Sequence, residues 1–320
     1  MLDELIKRRV LIVLGKGGVG RTAVSAALGL ATARTGRRVC VIEYDTGAPM
    51  AAMFGHAPAY VPIEVESGLF LAALNGPRTL EEYLSLTVPS PRVLRSVLSS
   101  RLYNYFIQAA PGLRELIMIG KLYHEIERRP ANLPPWDVVI FDGPASGQAL
   151  DLLRMPATAH ETFGASIVGR EAHNVTAFLH DPTKCAVVQI ATADGLAVSE
   201  TIEFHQALKD IAMPPAAIVF NRKFSVPYGP PAVSALAHLA QRPNGSEWGS
   251  YAVRARRLLD AADRTDQAAH TLHEQTGTPI IELAEHLNVH GRELIEKLAA
   301  ELAVGFNRHR PSREKSIHLG

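Results

Sequence analysis

Six short runs of continuous apolar, largely β-branched residues punctuate the sequence: "VLIVL" (10–14), "RVCVIE" (38–43), "DVVIFD" (137–142), "CAVVQIA" (185–191), "AAIVFN" (216–221) and "PIIEL" (279–283). Hydrophobicity that does not alternate belongs to strands covered on both faces, and helical segments separate the runs. The pattern predicts an α/β fold in which a mostly parallel sheet lies between helix layers. In such sheets ligands bind beyond the carboxyl ends of the strands. The residues of strongest chemical character in this sequence sit at or just past those ends.

Two stretches break the alternation. The longer lies between Asp45 and Trp136, and its middle, "PRVLRSVLSSRLYNYFIQAAPGLRELIMIGKLYHEIERR", reads as two apolar-rich helices divided by Pro111-Gly112. Leu94, Val97, Leu98, Leu102, Tyr105 and Phe106 in the first follow helical spacing, as do Leu113, Leu116, Ile117, Ile119, Leu122, Tyr123 and Ile126 in the second. They serve either a layer packed on the body or a groove for a hydrophobic protein client. The second break, "SVPYGPPAVSALAHLAQRPNGSEWGS", is rich in proline and glycine and reads as a surface excursion ahead of a long polar helix at about 250–275. One domain is expected over residues 1–306, with the helical insert at about 80–130; residues 307–320 have almost nothing to bury and are expected to be a disordered tail.

Composition narrows the partners. The 33 basic residues nearly balance the 32 acidic ones, so the field that attracts nucleic acid or an anionic membrane is not expected. The opening "MLDELIKRRVLIVL" is charged, lacks a small-residue cleavage site and runs straight into a glycine loop, unlike a signal peptide. No run reaches the roughly 18 to 20 apolar residues needed to cross a bilayer. A cytoplasmic protein without an integral membrane segment is the expectation. Cys40 and Cys185 fall in strand runs and read as reduced core thiols. There is no CxxC, and histidine pairs such as His270 with His273, or His286 with His290, bring no further ligands, so a zinc site has no support.

The first run continues into Gly15-Lys16-Gly17-Gly18-Val19-Gly20-Arg21-Thr22, and an alanine-rich helix follows. Strand, glycine loop and helix in that order form a phosphate-binding context. Around Val19, the glycines Gly15, Gly17, Gly18 and Gly20 let backbone N–H groups turn inward about phosphate oxygens, and the helix N-terminus adds partial positive charge. Thr22 offers a hydroxyl to Mg2+, and Asp142, closing "VVIFD", is placed to hold the same ion, often through water. Asp45, in "VIEYDT", can reach the terminal-phosphate side of the crevice and position an attacking water; a cap for the next turn is its plainer reading.

The segments "GKGGVGRT", "VIEYD", "FDGPASGQALDLLRMP", "AVSETIEFHQALKDI" and "IVFNRK", in this order and at these separations, resemble the ArsA-like ATPases. That family includes the arsenite-pump ATPase and the ATPase that targets tail-anchored membrane proteins. "KGGVG" marks the wider deviant phosphate-loop class, while "FDGPASGQALDLLRMP" with "SETIEF" points to this branch. The resemblance implies a dimeric Mg2+-ATP switch whose nucleotide state controls a protein-binding helical surface. Carried over residue by residue, Lys16 matches the signature lysine that reaches the nucleotide of the opposite subunit, Arg21 the loop lysine and Thr22 the Mg2+ ligand. Asp45 matches the catalytic aspartate of the first switch, Asp142 the aspartate opening the second, and Asn221 the asparagine that reads adenine. A side-chain amide suits that last task because it both donates and accepts.

Departures accompany the matches. The first switch continues "DTGAPMAAMF" where targeting members have a DPAHS-like sequence, and the second reads "DGPASGQ" where they have DxAPTGH. The arsenite-binding cysteine cluster and the tandem halves are missing, so arsenite handling is not expected; the CxxC of zinc-bridged dimers is missing too, so any dimer, with a second copy or with a related ATPase, is expected to form by other contacts. Arg21 keeps the charge but replaces a compact ammonium with a planar fork, which is expected to disturb transition-state alignment more than binding. A second reading follows from it: a weakly hydrolysing or non-catalytic nucleotide-binding partner in a hetero-oligomer. A third, a membrane positioner, needs a basic amphipathic C-terminal helix. "HGRELIEKLAAELAVGF" instead mixes its charges and sets Leu294, Leu298 and Leu302 on one face, as a helix docked on the domain does.

Overall fold

The computed structural model describes residues 2–44, 47, 49–87, 112–127, 135–226, 230–244 and 247–307. Among the described residues eight strands form one sheet: β1 Val10–Gly15, β2 Val39–Glu43, β3 Ile63–Glu66, β4 Leu69–Ala73, β5 Val138–Ala145, β6 Cys185–Ala191, β7 Pro215–Lys223 and β8 Ile280–Ala284. Their spatial order is β3-β4-β2-β5-β1-β6-β7-β8, and β3–β4 is the antiparallel pair among parallel neighbours. All six apolar runs are therefore strands. The β3–β4 hairpin adds to those six and lies within the stretch between Asp45 and Trp136.

Continuous burial follows from where these strands lie. Every residue of β1, β2 and β6 is buried, because helices cover both faces of the sheet. Alternate side chains go to opposite layers. Leu11, Val13, Val41, Ile140, Val188 and Val219 pack beneath the helices Arg21–Ala33 and Gly291–Asn307, while Val10, Ile12, Leu14, Ile42, Val139 and Phe141 join Leu122, Leu152, Val175 and Leu208 on the other side. Burying each such side chain contributes roughly 1.5–3 kcal/mol. Gly29 lets the first of these helices lie close on the sheet, for a Cβ there would meet Val41 Cγ2 at 2.5 Å.

The helix Gly291–Asn307 is docked as expected, with Ile295, Leu298 and Leu302 in the core. In the insert, the helix Leu113–Glu127 buries Met118, Ile119 and Leu122 against the body. Those three residues of the insert thus pack on the body. The first half of the insert, with Leu94, Val97, Leu98, Leu102, Tyr105 and Phe106, lies outside the described residues, as does the tail beyond 307. The long polar helix is Gly249–Thr276, preceded within the excursion by the helix Pro230–Ala240. Cys40 and Cys185 are buried, and burial pushes the Cys185 thiol up to about 12. Among the described residues no helix is long and apolar enough to cross a membrane.

Candidate functional site

From the central β1 the chain passes to β2 on one side of β5, while β6, β7 and β8 extend the sheet the other way. The order of connection reverses at the carboxyl end of β1, the place where an open parallel sheet opens a crevice. The glycine loop fills that place. Gly20 holds φ at +89° and precedes the helix Arg21–Ala33 without a side-chain cap, which leaves the first N–H groups of the helix directed at the loop. A Cβ on Gly20 would also stand 2.4 Å from Asn221 Nδ2, so both conformation and space demand glycine. Val19 is buried and anchors the loop to the core, whereas Gly17 and Gly18 face open space.

Asp142, near the end of β5 next to β1, turns toward the start of this helix. It is 4% exposed, and its carboxylate accepts hydrogen bonds from Thr22 Oγ1 at 2.7 Å and Ser25 Oγ at 3.1 Å. Burial pushes its carboxyl above the usual range, opposed by the Thr22 hydroxyl, the Arg21 guanidinium and the Ser25 hydroxyl. Ser25 was not among the residues picked out from the sequence, yet its spacing from Thr22, three residues along one helix, puts both hydroxyls on one face. Arg21 directs Nη1 to the backbone carbonyl of Gly143. Burial lowers its pKa and the nearby Asp142 raises it; the guanidinium stays charged.

A second carboxylate stands beside Asp142. Glu43 ends β2 in register with Asp142 of β5, is 2% exposed, and accepts the Met50 N–H at 3.1 Å. Burial raises its pKa from 4.5 to about 7; the Met50 hydrogen bond lowers it and the Asp142 charge raises it. Its signal in the sequence was a charged residue closing an otherwise apolar strand. Tyr44, the next residue, donates its N–H to Asp142 O at 3.0 Å, and its hydroxyl accepts from Gln148 Nε2 at 3.1 Å. Asp45 lies outside the described residues.

Two further residues singled out from the sequence reach the loop from the β6–β7 side. Asn221, buried on β7, donates from Nδ2 to the Val19 carbonyl at 2.8 Å. Lys16 forms a half-exposed ion pair with Glu200, 2.8 Å from Nζ to Oε1, on the helix Gly195–Asp210. The crevice therefore gathers Lys16, the loop from Gly15 to Thr22, Asp142 and Asn221. Its donor set suits a polyphosphate with Mg2+: backbone N–H groups and a guanidinium for the anion, and for a hard cation a hydroxyl and a carboxylate that leave most ligand positions to phosphate and water.

Comparison with known proteins agrees with this geometry. The family model described as anion-transporting ATPase matches residues 8–171. Over 221 residues the chain is 25% identical to ATPase BagA of Mycobacterium tuberculosis, covering 67% of this chain and 65% of that protein. It is 25% identical over 231 residues to the arsenical pump-driving ATPase of Acidiphilium multivorum, covering 66% of this chain and 39% of the other. With ATPase ASNA1 homolog 1 of Paramecium tetraurelia it shares 25% identity over 147 residues, 46% of this chain and 43% of that one. The matches thus span 65% or less of each relative's own length.

Proposed function

The chain belongs to the anion-transporting ATPase family, and from that premise we propose that it is a Mg2+-ATP-dependent dimeric switch that couples nucleotide state to a protein-binding helical surface. The observation that carries this reading is the contact between the Thr22 hydroxyl and the Asp142 carboxylate, made where the phosphate loop opens its helix. Thr22 and Asp142 would hold Mg2+ there, and the ion would supply charge neutralisation for the phosphates.

The remaining roles belong to side chains and backbone of this protein. N–H groups of residues 17–22 bind phosphate oxygens, and Thr22 and Asp142 hold the cation. Asp45 positions the attacking water. Asn221 reads adenine while its Nδ2 braces the loop at Val19, so base and phosphate recognition share one amide. Lys16 serves the nucleotide of the facing subunit. In the single chain it rests on Glu200, and a pair this exposed is worth about 1 kcal/mol or less, so exchange for a phosphate across the interface costs little. The facing subunit is a second copy or a related ATPase, and a hydrophobic protein segment is the client of the insert. Arsenical chemistry is not carried over: Cys40 and Cys185 are buried on β2 and β6, with β5 and β1 between them.

Steady-state ATP turnover of the purified chain, with Mg2+ present and withheld, tests the proposal together with sedimentation in ADP and in ATP. Turnover that requires Mg2+, and an ATP-dependent dimer, are the expected results. Tight ATP binding without turnover, in a chain that dimerises only with a related subunit, would replace this reading with that of a non-catalytic partner, which the arginine at position 21 favours.

A further inference from the structure

The guanidinium of Arg21 faces two ways. The residue opens the helix Arg21–Ala33, where unpaired N–H groups and the helix dipole collect an anion, yet Nη1 donates to the carbonyl of Gly143 in the segment that follows Asp142. That carbonyl sits on a fixed frame. β5 is in register with β1 through Asp142, and Gly143 lies so close to β1 that a Cβ on it would meet Leu14 Cδ2 at 2.6 Å. A lysine ammonium is a compact point charge, whereas guanidinium spreads five N–H donors over a rigid fork. One donor on Gly143 leaves four for another acceptor.

We infer that Arg21 is a positioning residue that couples the phosphates in the glycine loop to the backbone of residues 143–148, because one rigid fork serves both. The inference rests on the proposed binding of nucleotide. With a diphosphate the fork stays on Gly143. A triphosphate adds an anionic acceptor, which attracts the guanidinium more strongly than the uncharged Gly143 carbonyl does, so the fork shifts its weight toward the phosphate and loosens the carbonyl. The same segment carries Gln148, which donates to the Tyr44 hydroxyl, so loosening at Gly143 reaches the residue next to Asp45 in sequence. Arginine thereby makes the link that a lysine, reaching for phosphate alone, leaves open.

The test compares the wild type, Arg21→Lys and Arg21→Ala by calorimetric titration with ADP and a non-hydrolysable ATP analogue, and by hydrogen exchange of residues 143–148 in each complex. The wild type should exchange several-fold faster in the triphosphate state than in the diphosphate state. Arg21→Lys should bind both nucleotides within about threefold of wild type and lose the difference in exchange. Arg21→Ala should lose affinity and the difference together. A lysine variant that keeps the exchange difference, or a wild type without one, overturns the coupling while leaving nucleotide binding standing. A wild type that binds neither nucleotide overturns the proposed function and this inference with it.

Discussion

Replacing Glu43 by glutamine should change how the fold responds to pH. Glu43 is 2% exposed, and burial lifts its pKa from 4.5 to about 7. Below pH 4.5 it is protonated whether the chain is folded or unfolded. Between the two values the folded chain retains a proton that the unfolded chain has released, so stability falls as pH rises and levels off above about 7. At about 1.4 kcal/mol per pH unit, the interval amounts to roughly 3 kcal/mol. That is a large share of the ~5–15 kcal/mol that holds a typical domain together. Glutamine keeps an oxygen for the Met50 N–H and cannot ionise. Urea unfolding of both proteins at about pH 5 and pH 8 isolates the effect, since the Asp142 carboxyl, also raised by burial, is common to both. Wild type should lose roughly 2.5 kcal/mol relative to Glu43→Gln between those two pH values, the rest of the change having occurred below pH 5. Parallel stability curves would show that Glu43 is ionised in the fold at little cost and would refute the reasoning.

Gly20→Ala should weaken nucleotide binding at least tenfold by calorimetric titration, because it forces a side chain to φ +89° and drives a Cβ to 2.4 Å from Asn221 Nδ2; unchanged affinity would mean that the amide moves aside freely. Lys16→Ala should abolish ATP-driven dimerisation and slow hydrolysis by roughly 10³-fold or more, the scale of a charge supplied across an interface, while keeping the affinity of the single chain for nucleotide. Mixing it with Asp45→Asn should restore part of the activity through one complete site, and wild-type turnover by Lys16→Ala alone would end the role across subunits.

The central sheet was legible because burial on both faces leaves a simple trace, continuous β-branched runs, and all six runs are strands. The β3–β4 hairpin left a fainter one. Its second strand, "LFLAA", is short and rich in leucine and alanine, which suit helices equally well, and its first, "IEVE", is partly exposed and alternates. In the candidate site, order and residue type single out the glycine loop and Asp142, and the fold brings Thr22 and Asp142 into contact. Ser25, Glu43 and Glu200 are not singled out in that way, because each owes its role to a contact made across the fold: with Asp142 117 residues away for Ser25, with the register of β2 against β5 for Glu43, and with Lys16 184 residues away for Glu200. The destination of the Arg21 side chain is of the same kind. Residue type announced an altered charge geometry, and only the fold brings Gly143, 122 residues on, within its reach.

These distant contacts converge on one short piece of chain. Asp142 accepts from Thr22 and Ser25 through its carboxylate and from the Tyr44 N–H through its carbonyl, Gly143 accepts from Arg21, and Gln148 donates to Tyr44. Each such bond contributes about 0.5–1.5 kcal/mol net, and up to about 3 where a charge takes part. Coupling between sites in switching proteins typically amounts to about 1–3 kcal/mol, so two or three of these bonds are enough to carry it. The sequence departs from the targeting ATPases along the same route, at "DTGAPMAAMF" after Tyr44, at "DGPASGQ" from Asp142 to Gln148, and at Arg21. Where the end of one strand is held by both the phosphate loop and the neighbouring strand, a change in any one of the three segments alters the packing and hydrogen bonding available to the other two. The physical expectation is that the three departures are coupled, so that Arg21→Lys without matching changes in both switches impairs the transmission of nucleotide state.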